Sequence, residues 1–224
     1  MSSERRAPFR IRTPWIFGLG AGIYDAITAQ DIWRGHCREM AAQVPGRRVL
    51  DLGIGPGVSG IQMLRADPRK VLVGVDCSAS MIARAKRHVA AAGVALMLVR
   101  GDASQLPFAD ATYEGAIGHS FLYLLADSDA VLKEVHRVVQ PGGRVAFLEP
   151  NCVDPRERRR AVRDAYRRGF RFGTSMLLWS IFSALHGRYT ATSLAAQLTQ
   201  CGFVDTRVIA AFDGLGLMAT SQRP

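Results

Sequence analysis

Three acidic residues stand where a chain of this texture would meet a ligand. Val49-Leu50-Asp51-Leu52-Gly53-Ile54-Gly55-Pro56-Gly57 is a short apolar run that breaks into glycines. Glycines there let the backbone approach a ligand closely and take up positive φ. Ligands of open α/β sheets bind outside the carboxyl ends of the strands, and Asp51 at such an end would hold a positively charged amino group. Asp76 closes the next apolar run, Val71 to Val75, 19 residues after Gly57. A carboxylate at that point accepts two hydrogen bonds from a ribose diol. Gly101-Asp102-Ala103 closes the third run, where an acid suits the exocyclic amine of an adenine. Each carboxylate alone also reads as a helix cap. Their shared register at three consecutive strand ends points instead to a cationic adenosine ligand, since a diphosphate prefers bare amides and basic groups. Gly55-x-Gly57-x-x-Gly60 also fits the dinucleotide fingerprint, and Asp76 also suits NAD. An NAD(P)-dependent oxidoreductase therefore stays open, as does a non-catalytic cofactor-binding protein.

The segments VLDLGIGPG, VGVDCSASMIARAK, GDASQLPF and VVQPGGRVAFLEP, in this order and spacing, resemble class I S-adenosylmethionine-dependent methyltransferases. Within that family they look most similar to the branch containing the ubiquinone and menaquinone C-methyltransferases. The resemblance covers roughly 45–150 and, weakly, 193–221. It implies S-adenosyl-L-methionine as cofactor, with Gly53 and Gly55 along its methionine part. Asp76 would hold the ribose, Asp102 and Ala103 the adenine, and Cys77 and Met81 would pack on the adenosine. It also implies a Rossmann-like sheet of seven strands with the last one antiparallel.

Methyl transfer from a sulfonium is an in-line displacement on an already activated carbon, so positioning and exclusion of water dominate. A base is needed only if the nucleophile must lose a proton. His119, which follows Ala116-Ile117-Gly118 at the end of the fourth strand, is the candidate base, since a free imidazole titrates near neutrality. The alternative is a ring that packs while only its backbone meets the cofactor. Tyr24, which precedes Asp25, stands where such chains close over the site, or is an ordinary core tyrosine. His88 and His136 fall on helices and read as surface residues, whereas His36 and His186 fall in segments expected to cap the site. Gly118-His119-Ser120-Phe121 is not the Asn-Pro-Pro-Tyr or Asp-Pro-Pro-Tyr of nucleic-acid amino methylases. Glu149-Pro150-Asn151 does not resemble the paired-glutamate loop of protein arginine methylases, and no metal set stands out.

The elements that must position these residues follow from periodicity. Short apolar runs at 48–52, 71–75, 96–99, around 116–117 and at 145–148 alternate with helical stretches at 58–66, 79–92 and 127–139. That alternation is the mark of βαβ units on a buried, mostly parallel sheet with helices on both faces. Pro141-Gly142-Gly143 stops the third helix and turns into the fifth strand. Val204 to Ala210 and Leu217 to Thr220 pair closely around Phe212-Asp213-Gly214 as a terminal antiparallel hairpin, after a helix from Ser193 to Gln200 capped by Thr192 or Ser193.

The chain of 224 residues then divides as one methyltransferase domain: an N-terminal helical cap (1–44), a cofactor-binding core (45–150), an insertion (151–190) and a closing helix with hairpin (191–224). Residues 1–12 read as a basic tail. Hydrophobic residues at 48% and charged ones at 21% exclude a disordered chain. Cys37, Cys77, Cys152 and Cys201 lack zinc or C-x-x-C spacing and read as reduced thiols of a cytoplasmic protein. The formal charge of +10 asks for an anionic partner or only keeps the chain in solution.

From Arg156 to Phe172 eight arginines face only Glu157 and Asp164, and the apolar Met176 to Leu185 follows. That apolar run is about half of what a spanning helix needs. The whole reads either as a basic amphipathic element for an anionic membrane surface or as a solvated face over a buried one. A small-molecule acceptor, hydrophobic or lipid-like, is expected under this roof. Nucleic acid is disfavoured, because Tyr166, Phe170 and Phe172 are the only aromatics interleaved with the arginines.

Overall fold

A computed structural model of the chain describes residues 31–224. Tyr24, the basic tail and most of the N-terminal cap lie outside the described residues. The order of elements is α1 (Asp31–Ala42), β1 (Arg48–Leu52), α2 (Val58–Ala66), β2 (Val71–Asp76), α3 (Ala79–Ala92), β3 (Leu96–Arg100), β4 (Tyr113–His119), a 3-10 turn (Leu122–Leu124), α4 (Ser128–Val138), β5 (Val139–Pro150), α5 (Pro155–Arg168), α6 (Phe170–His186), α7 (Ala191–Gln200), β6 (Val204–Ala211), a second 3-10 turn (Phe212–Gly214) and β7 (Gly216–Gln222).

The strands form one seven-stranded sheet in the order β3-β2-β1-β4-β5-β7-β6. Neighbours from β3 to β5 are parallel, whereas β7 runs antiparallel to both β5 and β6. The expected seven-stranded sheet with an antiparallel last strand is therefore found. Because β1, β4 and β5 lie in the middle with helices on both faces, their side chains are buried on either side. Leu50, Leu52, Val145 and Phe147 join α4 and α7 in one core. Val49, Ile117, Ala146 and Leu148 join Met40, Met63, Trp179 and Phe212 in the other. The strand order, which runs outward from β1 to β3 on one side and from β4 to β5 on the other, reverses between β1 and β4 and opens the crevice where such sheets bind ligands.

Local chemistry sets the joints. Ser78 caps α3 by accepting from the Met81 N–H, and Gly93 ends that helix at φ 65°. Asp127 caps α4 through the Ala130 N–H at 2.9 Å. Two expectations are corrected. α7 begins at Ala191 and is capped by Thr190 rather than by Thr192 or Ser193: the Thr190 hydroxyl accepts from the Ser193 N–H while the Ser193 hydroxyl accepts from the Thr190 N–H, a reciprocal pair that a serine at the third helical position allows. Pro141-Gly142-Gly143 does not separate α4 from β5. Val139 already pairs with Tyr113, and the register slips before Gly115 pairs with Arg144. Gly142 at φ 79° lets the strand pass through this irregularity instead of ending.

Candidate active site

A cleft of about 720 Å³ opens at the carboxyl ends of β1, β2 and β4. One wall is the glycine loop after β1. Gly53 and Gly55 have φ of 59° and 53°. A methyl group on Gly53 would stand 2.1 Å from the Phe121 ring. Gly53 is therefore required on two counts, its left-handed backbone and the ring lying against its Cα. Gly57, at φ 92°, shapes the start of α2 and is not on the wall.

Asp76 is the carboxylate that the fold brings to this cleft. Oδ2 accepts from the Gly55 N–H at 2.9 Å and Oδ1 from the Ser78 N–H at 2.8 Å. Each oxygen thus spends one lone pair on fixing the carboxylate and keeps another for a ligand's donors. Burial raises the Asp76 pKa, and the two amide bonds work against that rise. A diol on the open side would add donors that favour the charged form. Cys77, Ser78 and Met81 continue the wall, with Gly101, whose N–H donates to the Asp76 carbonyl at 3.1 Å, and Ala103. Burial pushes the Cys77 thiol up to about 11, so it is a neutral packing surface rather than a nucleophile.

The other two strand-end acids are placed differently. Alternation along β1 turns Asp51 away from Leu50 and Leu52, toward α2. It is fully buried, accepts from the Ser59 hydroxyl at 2.7 Å, and leaves Oδ1 without a partner. Desolvation pushes its pKa up to about 7. Asp102 lies between two wall residues but turns its Oδ1 to the N–H and hydroxyl of Ser104, each at 2.8 Å. Asp76 lines the cleft, then, while Asp51 supports the floor and Asp102 stands at the edge.

His119 does not line the main cleft. With Trp33, Cys37, Gly53 and Ser59 it lines a smaller cavity on the other side of the glycine loop. Its ring centroid is 5.2 Å from that of Trp33, and burial lowers its pKa to about 4. The imidazole is neutral at pH 7 and a poor proton acceptor. His88 bonds the Pro56 carbonyl at 2.9 Å, and His136 packs on Phe203. His36 packs on Phe212 beside Trp33, and His186 is buried and stacks on Phe182 at 4.2 Å.

The wall that follows β4 was not singled out from the sequence. It consists of Ser120, Phe121, Tyr123, Leu124, Leu125 and, from α6, Phe182. Ser120 has φ 51° and a buried hydroxyl without a partner. A serine held in that backbone region at the end of a central strand is the kind of strain that surrounding structure must enforce. Glu149 supplies the enforcement. Fully buried at the end of β5, it accepts from the N–H groups of Phe121 at 3.1 Å, Leu122 at 2.9 Å and Tyr123 at 3.3 Å. Burial pushes its pKa up to about 7. An acid inside an otherwise apolar strand, Val145 to Leu148, was the available signal.

Comparison with known proteins agrees with this arrangement. Residues 49–143 match a family model described as a methyltransferase domain. These residues belong to the methyltransferase-domain family. The match runs from β1 through the start of β5 and thus contains Gly53, Gly55, Asp76, Cys77, Met81, Gly101 and Ala103 of the cleft wall. The chain is 36% identical over 140 residues to a protein of Desulfotalea psychrophila named ubiquinone/menaquinone biosynthesis C-methyltransferase UbiE, covering 60% of this chain and 56% of that one. It is 34% identical over 173 residues to an arsenite methyltransferase of Halobacterium salinarum, covering 75% of this chain and 40% of the other. The chain spans about half the length of the curated relatives it matches. Among solved structures, a [4+2]-cyclase named SpnF superposes with a TM-score of 0.71 at 15% identity, over 97% of this chain and 98% of that one. This last likeness concerns the fold alone.

Proposed function

We propose that this chain is an S-adenosyl-L-methionine-dependent methyltransferase whose acceptor is a small, hydrophobic molecule. The observation that carries the cofactor side is the Asp76 carboxylate, pinned by two backbone amides on a wall of positive-φ glycines. Bound there, the cofactor supplies a methyl group on a positively charged sulfur. That methyl would be offered to an electron pair of the acceptor, with S-adenosylhomocysteine as the co-product. The protein's own residues hold the ribose (Asp76), pack the adenosine (Cys77, Met81, Ala103), bound the adenine edge (Asp102) and let the methionine part lie against the backbone (Gly53, Gly55).

Asp51 supports the loop through Ser59. The part proposed for His119 is the floor behind Gly53 rather than proton removal. Among the described residues Asp76 is the one carboxylate of the cleft's lining, so the cleft suits transfer to a nucleophile that needs little help from a base. Phe121, Tyr123, Leu124, Leu125 and Phe182 make the acceptor wall aromatic and apolar. That wall, together with relatives named for quinone methylation, favours a hydroquinone-like or other lipid-like acceptor.

In this reading 45–150 hold the cofactor, 151–190 roof the acceptor and 191–224 complete the sheet. The enzyme would act in the cytoplasm, drawing its acceptor from a membrane leaflet. No helix among the described residues is long and apolar enough to cross a membrane. A second reading is cofactor binding without methyl transfer, since the described residues that line the cleft include no histidine or lysine.

Calorimetry with S-adenosylhomocysteine tests the assignment. Binding by the native chain, weakened tenfold or more in Asp76→Ala, is expected. Heat protection by NAD but not by S-adenosylhomocysteine would refute it. Tight binding with no methylation of a quinol panel would select the second reading.

A further inference from the structure

α6 is apolar on both sides, and the other described residues cover one of them. Successive helical residues are about 100° apart. Phe172, Met176, Trp179, Ser183 and His186 fall on the covered side and are buried against the sheet's helix layer. Phe170, Leu177, Leu178, Ile181 and Leu185 fall within about 100° of arc on the opposite side. They are exposed, Phe170 by 76%, Ile181 by 53% and Leu185 by 75%. A helix that is hydrophobic all round belongs in a core or at an apolar boundary, and an exposed apolar row of this kind marks a contact surface.

The neighbouring helix says what kind of surface. α5 packs against α6 and is joined to it at Gly169. Arg156, Arg159, Arg160, Arg163 and Arg167 share one arc of about 100° on α5 and are exposed. Asp164 is the acid they have at hand. It lies within 4.0 Å of Arg160, Arg163 and Arg167, one carboxylate for three guanidinium groups. The hairpin therefore couples an apolar row to a net positive row. A second copy of this chain would bring the same positive row to itself, and a neutral protein groove would leave it unanswered. An anionic bilayer answers both rows, because apolar side chains enter the acyl boundary while arginines meet lipid phosphates.

The position relative to the cleft gives the contact a purpose. Phe182, next to Ile181, lines the cleft and faces Tyr123 at 6.4 Å between ring centroids. The helix that exposes the apolar row thus also walls the acceptor side.

We propose that the α5–α6 hairpin is a docking surface for anionic phospholipid bilayers, with the row Phe170, Leu177, Leu178, Ile181 and Leu185 at the acyl boundary. This deepens the reading of a hydrophobic acceptor and rests on it for its purpose, though not for its test.

The full chain is sedimented with phosphatidylcholine vesicles, with and without phosphatidylglycerol, at low and high salt. Binding to the anionic vesicles alone, falling with salt, is expected. Ile181→Asp with Leu185→Asp should weaken it tenfold or more, and so, separately, should Arg156→Glu with Arg160→Glu. Circular dichroism checks folding; should the first pair unfold, Leu185→Ser alone and the arginine pair carry the test. Failure to bind anionic vesicles at low salt overturns the proposal, as does binding that neither variant weakens. Sedimentation velocity showing a dimer that the Ile181/Leu185 variant splits assigns the row to a second copy and overturns it as well. S-adenosylhomocysteine binding is measured in parallel. Its loss would overturn the methyltransferase reading without touching the vesicle result, and vesicle failure with intact cofactor binding would overturn the docking surface alone.

Discussion

Replacing Glu149 tests how the acceptor wall is held. Its side chain is fully buried and satisfies three backbone N–H groups of the segment 121–123. Oε1 takes two of these bonds and Oε2 the third, at 3.3 Å. The neutral acid, protonated on Oε2, keeps all three, because Oε1 has two lone pairs and a hydroxyl oxygen still accepts. Glu149→Ala leaves three donors without an acceptor. At about 1–3 kcal/mol for each orphaned group, with water from the adjoining cleft relieving part of the loss, the expected cost is about 3 kcal/mol or more. Glu149→Gln preserves the two Oε1 bonds and turns an NH2 toward the Tyr123 N–H, so about 1–3 kcal/mol is expected.

The pH dependence has a definite sign. The folded-state pKa is raised from 4.5 to about 7. The native state therefore binds the extra proton between those values, and this stabilising contribution is complete below pH 4.5 and lost as pH rises through 7. Urea unfolding at several pH values should show a slope flatter by up to about 1.4 kcal/mol per pH unit in that window for Glu149→Gln. Hydrogen exchange should quicken at the amides of residues 121–123 before the rest of the sheet. An alanine variant as stable as the native chain within about 0.5 kcal/mol, with unchanged exchange there, would refute the reasoning.

Two further substitutions probe the other walls. Gly53→Ala puts a methyl 2.1 Å from the Phe121 ring at a φ of 59°. It should cost about 2 kcal/mol or more in stability and abolish detectable S-adenosylhomocysteine binding in a calorimeter; a variant that binds normally would show that the ring does not lie there. His119→Phe keeps the packing on Trp33 and removes the titrating ring. Turnover should change less than about fivefold, with no loss of a pH inflection near neutrality; a drop of about a hundredfold would restore the imidazole as the base.

The cofactor side was legible because it is written in short-range chemistry. Glycines that must take positive φ, a carboxylate closing a strand and an apolar run of strand length can each be read one element at a time. Helices at 58–66 and 79–92 coincide with α2 and α3 for the same reason. What escaped needed the third dimension. Asp51 and Asp76 both close strands, yet side-chain alternation turns Asp51 toward α2 and Ser59, and only the register of the folded sheet decides that. His119 looked like a base by its place at the end of β4, but Trp33 on α1 encloses it and burial removes its basicity. The Glu149 clamp joins residues 26 to 28 positions apart, a pairing that no local pattern announces.

The two halves of the site differ in what they ask of the chain. The residues proposed to hold an adenosine sit at or just beyond strand ends, inside the matched stretch 49–143. Choosing an acceptor requires shape, and this chain builds it from a backbone segment pinned by one buried acid and from a helix, α6, that lies beyond that stretch. A fold shared with a cyclase at 15% identity shows that the sheet does not dictate the reaction. Specificity should therefore move with Tyr123 and Phe182, whose rings face each other across the acceptor wall, and not with the glycine loop. The hydrophobic outer face of α6 belongs to the same economy, since a helix that greets an apolar acceptor on one side is well placed to meet its source on the other.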